Sequence, residues 1–152
     1  MRNKIAALVI ASAVGIGGIT QYEGFKEEAY IDLAGIPTIG YGSTKNVKIG
    51  DRIDEKGARR RLISEVVSEY HPGINNCVKV PLNQSEYDAY LSLTYNIGVG
   101  AFCRSTLVKL LNQEKYDEAC KQILRWNKIK GQVSKGLTNR RQSEYNLCVK
   151  GQ

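Results

Sequence analysis

The sequence predicts an α+β domain in which a short β-hairpin is set among amphipathic helices. Three observations lead to it. The 152 residues are enough for one compact core and too few for two ordinary domains. Apolar residues recur at helical spacing over 58–70 and 116–124. Between 29 and 41, two β-prone runs flank a turn that holds Gly35 and Pro37. Hydrophobic residues at 42% and charged residues at 24% are ordinary globular values, which excludes wholesale disorder and a polytopic membrane protein.

The first element is an uncharged run. Arg2 and Lys4 precede residues 5–20, which carry no charge and are rich in Ala and Gly. A spanning helix needs about 20 predominantly apolar residues, so this run is short and only marginally stable in a bilayer. It reads as an export-like signal anchor that is not cleaved and can leave the membrane. Two other readings stay open: Ala11-Ser12-Ala13 as a signal-peptidase site, and an ordinary N-terminal helix of a folded domain. Gly15, Gly17 and Gly18 argue against a permanent anchor. The chain then divides into an anchor-like segment, 1–20, and one folded domain, 21–152.

The helical stretch stops at Gly24, and runs 29–32 and 38–41 form the hairpin around a loop at 33–37. Glu23 then stands at a helix C-terminus, Asp32 at the end of one strand and Thr38 at the start of the next, all three facing one cleft. Such a set suits hydrolysis of a glycosidic bond. That reaction needs a protonated carboxyl to donate to the leaving oxygen, and a second carboxylate to activate water or stabilise the cationic transition state. Tyr22 and Phe25 are expected to place an apolar wall beside Glu23. An apolar wall and the negative end of a helix dipole both help a carboxyl keep its proton. Spacing by itself is weak ground, because 15 acidic residues give several Glu/Asp pairs nine apart, nearly all of them solvated.

Farther along, Ala58, Leu62, Ile63, Val66, Val67 and Tyr70 define one apolar helix face, closed by His71-Pro72-Gly73. Asn83 followed by Glu86 marks a helix start of the capping-box kind, ahead of Tyr87, Tyr90 and Leu91. Gly98-Val99-Gly100 lacks the ending of a phosphate loop and reads as a turn between helices. Tyr116, Ala119, Cys120, Ile123 and Leu124 line a second core face. The lone histidine, His71, is a helix-end residue with no ligand role, and Arg59-Arg60-Arg61 is a solvated helix face.

Cys77, Cys103, Cys120 and Cys148 include no C-x-x-C pair, so zinc has no ligand set and disulfides are favoured. Bridges point to an oxidising compartment, and three pairings are available. No metal or cofactor is expected. The formal charge of +7 draws the protein to anionic polymers, among which nucleic acid, anionic lipid and the bacterial wall all qualify.

The string around the acidic pair resembles the catalytic region of the phage-type lysozymes of glycoside hydrolase family 24. Their pattern is Glu-Gly, an Asp nine residues after the Glu, a Thr six further on, and Ile-Gly-x-Gly. Here it reads Glu23-Gly24, Asp32 and Thr38-Ile39-Gly40-Tyr41-Gly42. The resemblance continues in Pro81-Leu82-Asn83-Gln84, Tyr95-Asn96-Ile97-Gly98, Arg125-Trp126-Asn127 and Gly136-Leu137 with Arg140-Arg141.

That resemblance implies a lysozyme-like α+β fold, with a small hairpin lobe, a larger helical lobe and the active-site cleft between them. It implies a muramidase with Glu23 as general acid, Asp32 as second carboxylate and Thr38 positioning the water. Inversion at the anomeric carbon goes with it. A basic residue, Arg140 or Arg141, pairs with Glu23 in such a site, and the choice between them stays open. The cysteines are expected to pair as Cys77–Cys103 and Cys120–Cys148, each bridge contributing about 3 kcal/mol on the chain-entropy model.

The partners implied are peptidoglycan glycan strands, with no nucleic acid, and a monomer is expected. The N-terminus resembles that of signal-arrest-release endolysins. Residues 5–20 cannot both span the host inner membrane and pack as the helix that leads into Glu23, so the tethered protein is expected to be inactive and the released periplasmic protein active. Two competing functions are distinguishable. A lytic transglycosylase would yield an anhydro product without consuming water, and Asp32 and Thr38 argue against it. A basic, membrane-anchored binding module would keep its effect when Glu23 is replaced by Gln.

Overall fold

The computed structural model describes residues 12–151. The basic start and residues 5–11 of the apolar run, including the first residue of the Ala11-Ser12-Ala13 motif, lie outside the described residues. The chain forms α1 (Ala13–Glu23), β1 (Lys26–Ile31), β2 (Pro37–Gly40), α2 (Glu55–Glu65), a π-helical turn (Val66–Tyr70), α3 (His71–Cys77), α4 (Gln84–Ile97), α5 (Val99–Cys103), α6 (Thr106–Asn112), α7 (Tyr116–Gln122), a 3₁₀ turn (Ile123–Arg125), β3 (Lys128–Ile129), β4 (Gln132–Val133) and α8 (Lys135–Lys150). It is an α+β fold, a hairpin lobe set against a helical one.

Helix α1 runs unbroken from the apolar segment into Glu23. Ser12 caps it by accepting the Gly15 amide at 3.2 Å. The helix lies on α4 and buries Gly15 and Ile19. Gly15 is required there by close approach, because a Cβ would sit 2.7 Å from Asp88 Oδ1. In this conformation residues 13–20 are part of the domain's helical packing. No helix among the described residues is long and apolar enough to cross a membrane.

The hairpin pairs Tyr30 with Thr38 and Ile31 with Pro37, and a bulge between Lys26 and Tyr30 shifts the register. Strand β1 begins at Lys26, earlier than its β-prone residues indicate, because Lys26, Glu27 and Glu28 are all exposed and show no alternation. Arg52 crosses its edge, bonding Glu27 at 2.9 Å and Glu28 at 2.5 Å.

Two expectations for 55–77 need correction. Ala58, Leu62 and Val66 are buried, but Ile63 and Val67 are exposed. A helix presents only a stripe to its neighbours, and i, i+4, i+8 exhausts it here. The chain also does not stop at His71-Pro72-Gly73 and stays helical to Cys77. The π turn allows this by delivering Pro72 to the first turn of α3, where a missing N–H breaks nothing.

Helix α4 is the spine, buried at ten consecutive positions from Glu86 to Tyr95. Its start carries the expected capping box between Asn83 and Glu86. Gly98 alone makes the turn between α4 and α5; Val99 and Gly100, expected in that turn, already belong to α5. Tyr116, Ala119, Cys120 and Ile123 are core, while Leu124 is half-buried. Both cysteine pairs are bridged as expected: Cys77–Cys103 ties α3 to α5, and Cys120–Cys148 ties α7 to α8. Helix α8 starts at Ser134, which accepts the Leu137 amide at 3.2 Å, and packs along α4. His71 closes its contacts on Tyr87 OH at 2.6 Å and Asn75 at 3.2 Å, a structural role.

Candidate active site

Glu23 is the last residue of α1, and Gly24 at φ 70° ends the helix. The unsatisfied carbonyls of a helix end give that position a negative electrostatic environment. The Glu23 side chain is 20% exposed, and its Oε1 accepts from Arg140 Nη1 at 2.7 Å. Arg140 therefore makes the pair that the sequence left open between two arginines. Arg141 turns inward, with Nε 2.8 Å from Glu144 Oε2. Tyr22 and Phe25 are engaged elsewhere than in the expected wall. The Tyr22 ring lies 5.3 Å from the Arg140 guanidinium and its hydroxyl donates to Ser143 Oγ at 2.6 Å. Phe25 packs on Tyr41 with ring centroids 5.8 Å apart.

Asp32 follows β1 and organises its own loop. Its Oδ1 accepts the Ala34 amide at 2.8 Å and the Ile36 amide at 2.9 Å, while its backbone N–H donates to Ile36 O at 3.0 Å. An Asp that bonds amides two and four residues ahead fixes both the turn and its own carboxylate. Thr38, on β2, is buried and donates its hydroxyl proton to Ile36 O at 2.9 Å. With that proton committed, Thr38 Oγ1 is left as an acceptor.

Glu23, Asp32 and Thr38 border one cavity of about 550 Å³, together with Tyr30, Gly42, Tyr95 and Asn96. Gly42 stands at φ 94°, and a Cβ there would lie 3.4 Å from Glu23 Oε2 and 3.6 Å from the Tyr95 hydroxyl. The positive φ is what calls for glycine here, since the added Cβ would make only ordinary contacts. Tyr95 is buried and donates to Tyr41 O at 2.7 Å, which links the floor of the cleft to the hairpin lobe.

The tyrosines around the cleft are held as neutral phenols. Burial, then the charges of Glu23 and Asp32, push Tyr30 upward. Burial, then Glu69, Glu65 and Glu23, push Tyr70 up to about 12. Burial, then Glu65 and Glu23, push Tyr95 upward as well. A carboxylate-rich cleft disfavours phenolate.

The family model for phage lysozyme matches residues 20–144, which include every residue of this site. The chain belongs to the phage lysozyme family. It is 40% identical over 137 residues to an endolysin of Acyrthosiphon pisum secondary endosymbiont phage 1, covering 88% of this chain and 93% of that protein. It is 38% identical over 144 residues to a SAR-endolysin of Pseudomonas phage phiKMV, covering 91% of this chain and 88% of that one. Among solved structures, the endolysin of Escherichia coli O157:H7 phage FAHEc1 superposes with a TM-score of 0.81 at 36% identity, covering 96% of both chains. The chain is thus a glycoside hydrolase of the lysozyme kind.

As a phage lysozyme it carries site residues that the sequence reading passed over. Tyr30 lies in the hairpin region with no chemical signature of its own, and Gly42, Tyr95 and Asn96 stand out only as members of family strings. Glu144 gave no signal, since one Glu on a basic amphipathic helix is an ordinary surface residue until the fold buries it.

Proposed function

We propose that this enzyme hydrolyses the β-1,4 bond between N-acetylmuramic acid and N-acetylglucosamine in peptidoglycan, with Glu23, Asp32 and Thr38 as its catalytic residues. The observation that carries the reading is a carboxyl at a helix end, held by Arg140, sharing a cavity with a loop-anchored carboxylate and a hydroxyl acceptor.

In the proposed reaction the glycosidic C–O bond breaks with its electron pair on the leaving oxygen, which takes the Glu23 proton. A water held by Thr38 Oγ1 attacks the anomeric carbon and gives a proton to Asp32. The released ends are a free hydroxyl and a reducing sugar, so one water is consumed per bond. Arg140 keeps the Glu23 carboxyl in one orientation through a charge-assisted hydrogen bond.

The proposal extends to control. Residues 1–20 act as a releasable tether in the host inner membrane, and the released periplasmic form has α1 packed on α4, as described here. Support comes from the uncharged run of residues 5–20, from the direct continuity of α1 into Glu23, and from SAR-endolysins among the relatives. A chain whose residues 13–20 are in a bilayer cannot place Ile19 in the core. The working form is a monomer.

Turbidity loss of purified Gram-negative murein, with mass analysis of the fragments, tests the chemistry. Reducing-end muropeptides from the wild type and none from Glu23→Gln are expected. Anhydro products would establish a transglycosylase instead, and an undiminished effect of Glu23→Gln would establish a binding module. For the tether, a fusion that replaces residues 1–20 with a strong permanent anchor is expected to be exported and non-lytic. Lysis at the natural rate by that fusion would overturn the tether.

A further inference from the structure

Arg140 reaches Glu23 out of a buried charge cluster. Its Nη1 donates to Glu23, its Nη2 to Ser92 O at 3.2 Å and its Nε to Glu144 Oε1 at 3.2 Å. Arg141 lies beside it, fully buried, with Nη2 3.2 Å from Glu144 Oε1 and Nε 2.8 Å from Oε2. Ser92 Oγ donates to Glu144 Oε1 at 2.7 Å. Glu144 is therefore a buried carboxylate wedged between two guanidiniums: Oε1 accepts from Arg140, Arg141 and Ser92, while Oε2 pairs with Arg141 Nε by charge without hydrogen-bond geometry. Burial raises its carboxyl, and the Arg141 charge, Ser92 and Arg140 reduce that rise without cancelling it, so the carboxylate form rests on its two ion pairs, with Arg140 and with Arg141.

The count of charges gives Glu144 a task. Two arginines face Glu23 and Glu144. When Glu23 holds its proton, Glu144 is the one carboxylate left in the cluster to offset them. Without it, two buried positive charges would stand beside the acid and favour its ionised form. We infer that Glu144 is a positioning residue: it anchors Arg140 and balances Arg141, so that Arg140 orients Glu23 without stripping its proton. The inference rests on the general-acid reading of Glu23.

The other groups that face this cluster do not replace Glu144. Tyr22 of α1 lies against Arg140 and donates its hydroxyl to Ser143, and burial keeps Tyr95 of α4 and Tyr70 of the π turn as neutral phenols. Tyr30 and Asp32 face Glu23 from the hairpin, across the open cavity. Asp88, on α4 one turn before Ser92, is taken up by Ser12 and by Gln84 Nε2 at 3.0 Å.

The test measures kcat and KM against pH on soluble, un-cross-linked glycan strands with the full chain, for wild type, Glu144→Gln, Arg141→Gln and the double variant. Glu144→Gln is expected to move the alkaline limb of kcat down by about one pH unit, a loss of about tenfold above it, with KM little changed. Arg141→Gln is expected to move the limb upward, and the double variant to return it near wild type. A merely structural role would lower kcat equally at every pH and would not reverse sign between the two residues. Carboxyl carbon NMR titration of Glu23 in the same proteins reads the charge balance without turnover. If Glu144→Gln folds poorly, the upward shift in Arg141→Gln stands as the reading. A limb and a titration unmoved in the folded variants, or moved the same way in both, would overturn the inference. Activity retained by Glu23→Gln would instead overturn the general-acid reading, leaving the titration to judge the cluster.

Discussion

The two sides of the cleft hold their carboxylates by different means. On the hairpin side, Asp32 bonds amides two and four residues ahead, and Thr38 bonds a carbonyl two residues back. On the helical side, Glu23 is held by Arg140, 117 positions away, and Arg140 by Ser92 and Glu144. One side is organised by its own loop, the other by the assembled core. Damage to the packing of α1, α4 or α8 should therefore reach Glu23 and leave Asp32 in place.

The largest expected effects fall on the chemistry. Glu23→Gln should lower kcat on murein by about 10³-fold or more, general acid catalysis contributing typically 10²–10⁴. Asp32→Asn keeps an acceptor for the Ala34 and Ile36 amides, so it should lose activity to a similar degree while its denaturant midpoint stays put. A large stability loss in Asp32→Asn would show that the hairpin side depends on its charge and not only on its hydrogen bonds.

Next come the bridges. Replacing Cys120 and Cys148 together by Ala should cost about 3 kcal/mol in urea unfolding and also reduce kcat, because that bridge ties α7 to the helix carrying Arg140. Replacing Cys77 and Cys103 should cost about as much stability with kcat unchanged, since α3 and α5 supply none of the contacts to Glu23. Equal kcat losses from both would erase the distinction.

Gly42→Ala should cost about 1–2 kcal/mol in urea unfolding from its positive φ alone. Alkaline melts probe the same floor. Tyr70 binds its proton more tightly in the folded chain, at about 12, than in the unfolded one, at the ordinary phenol value of 10.0. Its stabilisation is whole below about pH 10 and is lost as the pH rises toward 12. Tyr70→Phe should flatten that decline. The smallest effect is expected at Arg52, whose bonds to Glu27 and Glu28 join exposed side chains, so Arg52→Ala should leave the melting curve where it was.

Much of this molecule was legible in one dimension. The hairpin, the stop of α1 at Gly24, the capping box at Asn83 and the core face at 116–123 are local events, encoded by turn residues, caps and periodicity within a few positions. Glu23, Asp32 and Thr38 were found because a short string carries all three. The first residues of β1 were hidden by their two exposed faces, and the π turn by the lack of any residue signature for it.

What the sequence by itself determined, then, is which three side chains meet at the cleft and which short segments present them, because those depend on neighbours along the chain. The tertiary structure alone decided the rest: Arg140 over Arg141 as the partner of Glu23, the tyrosines that border the cleft, and the burial of Glu144 between two arginines. A helix periodicity says which face is buried, but the charge that face meets comes from another part of the chain, and only the folded packing of α1, α4 and α8 brings the two together.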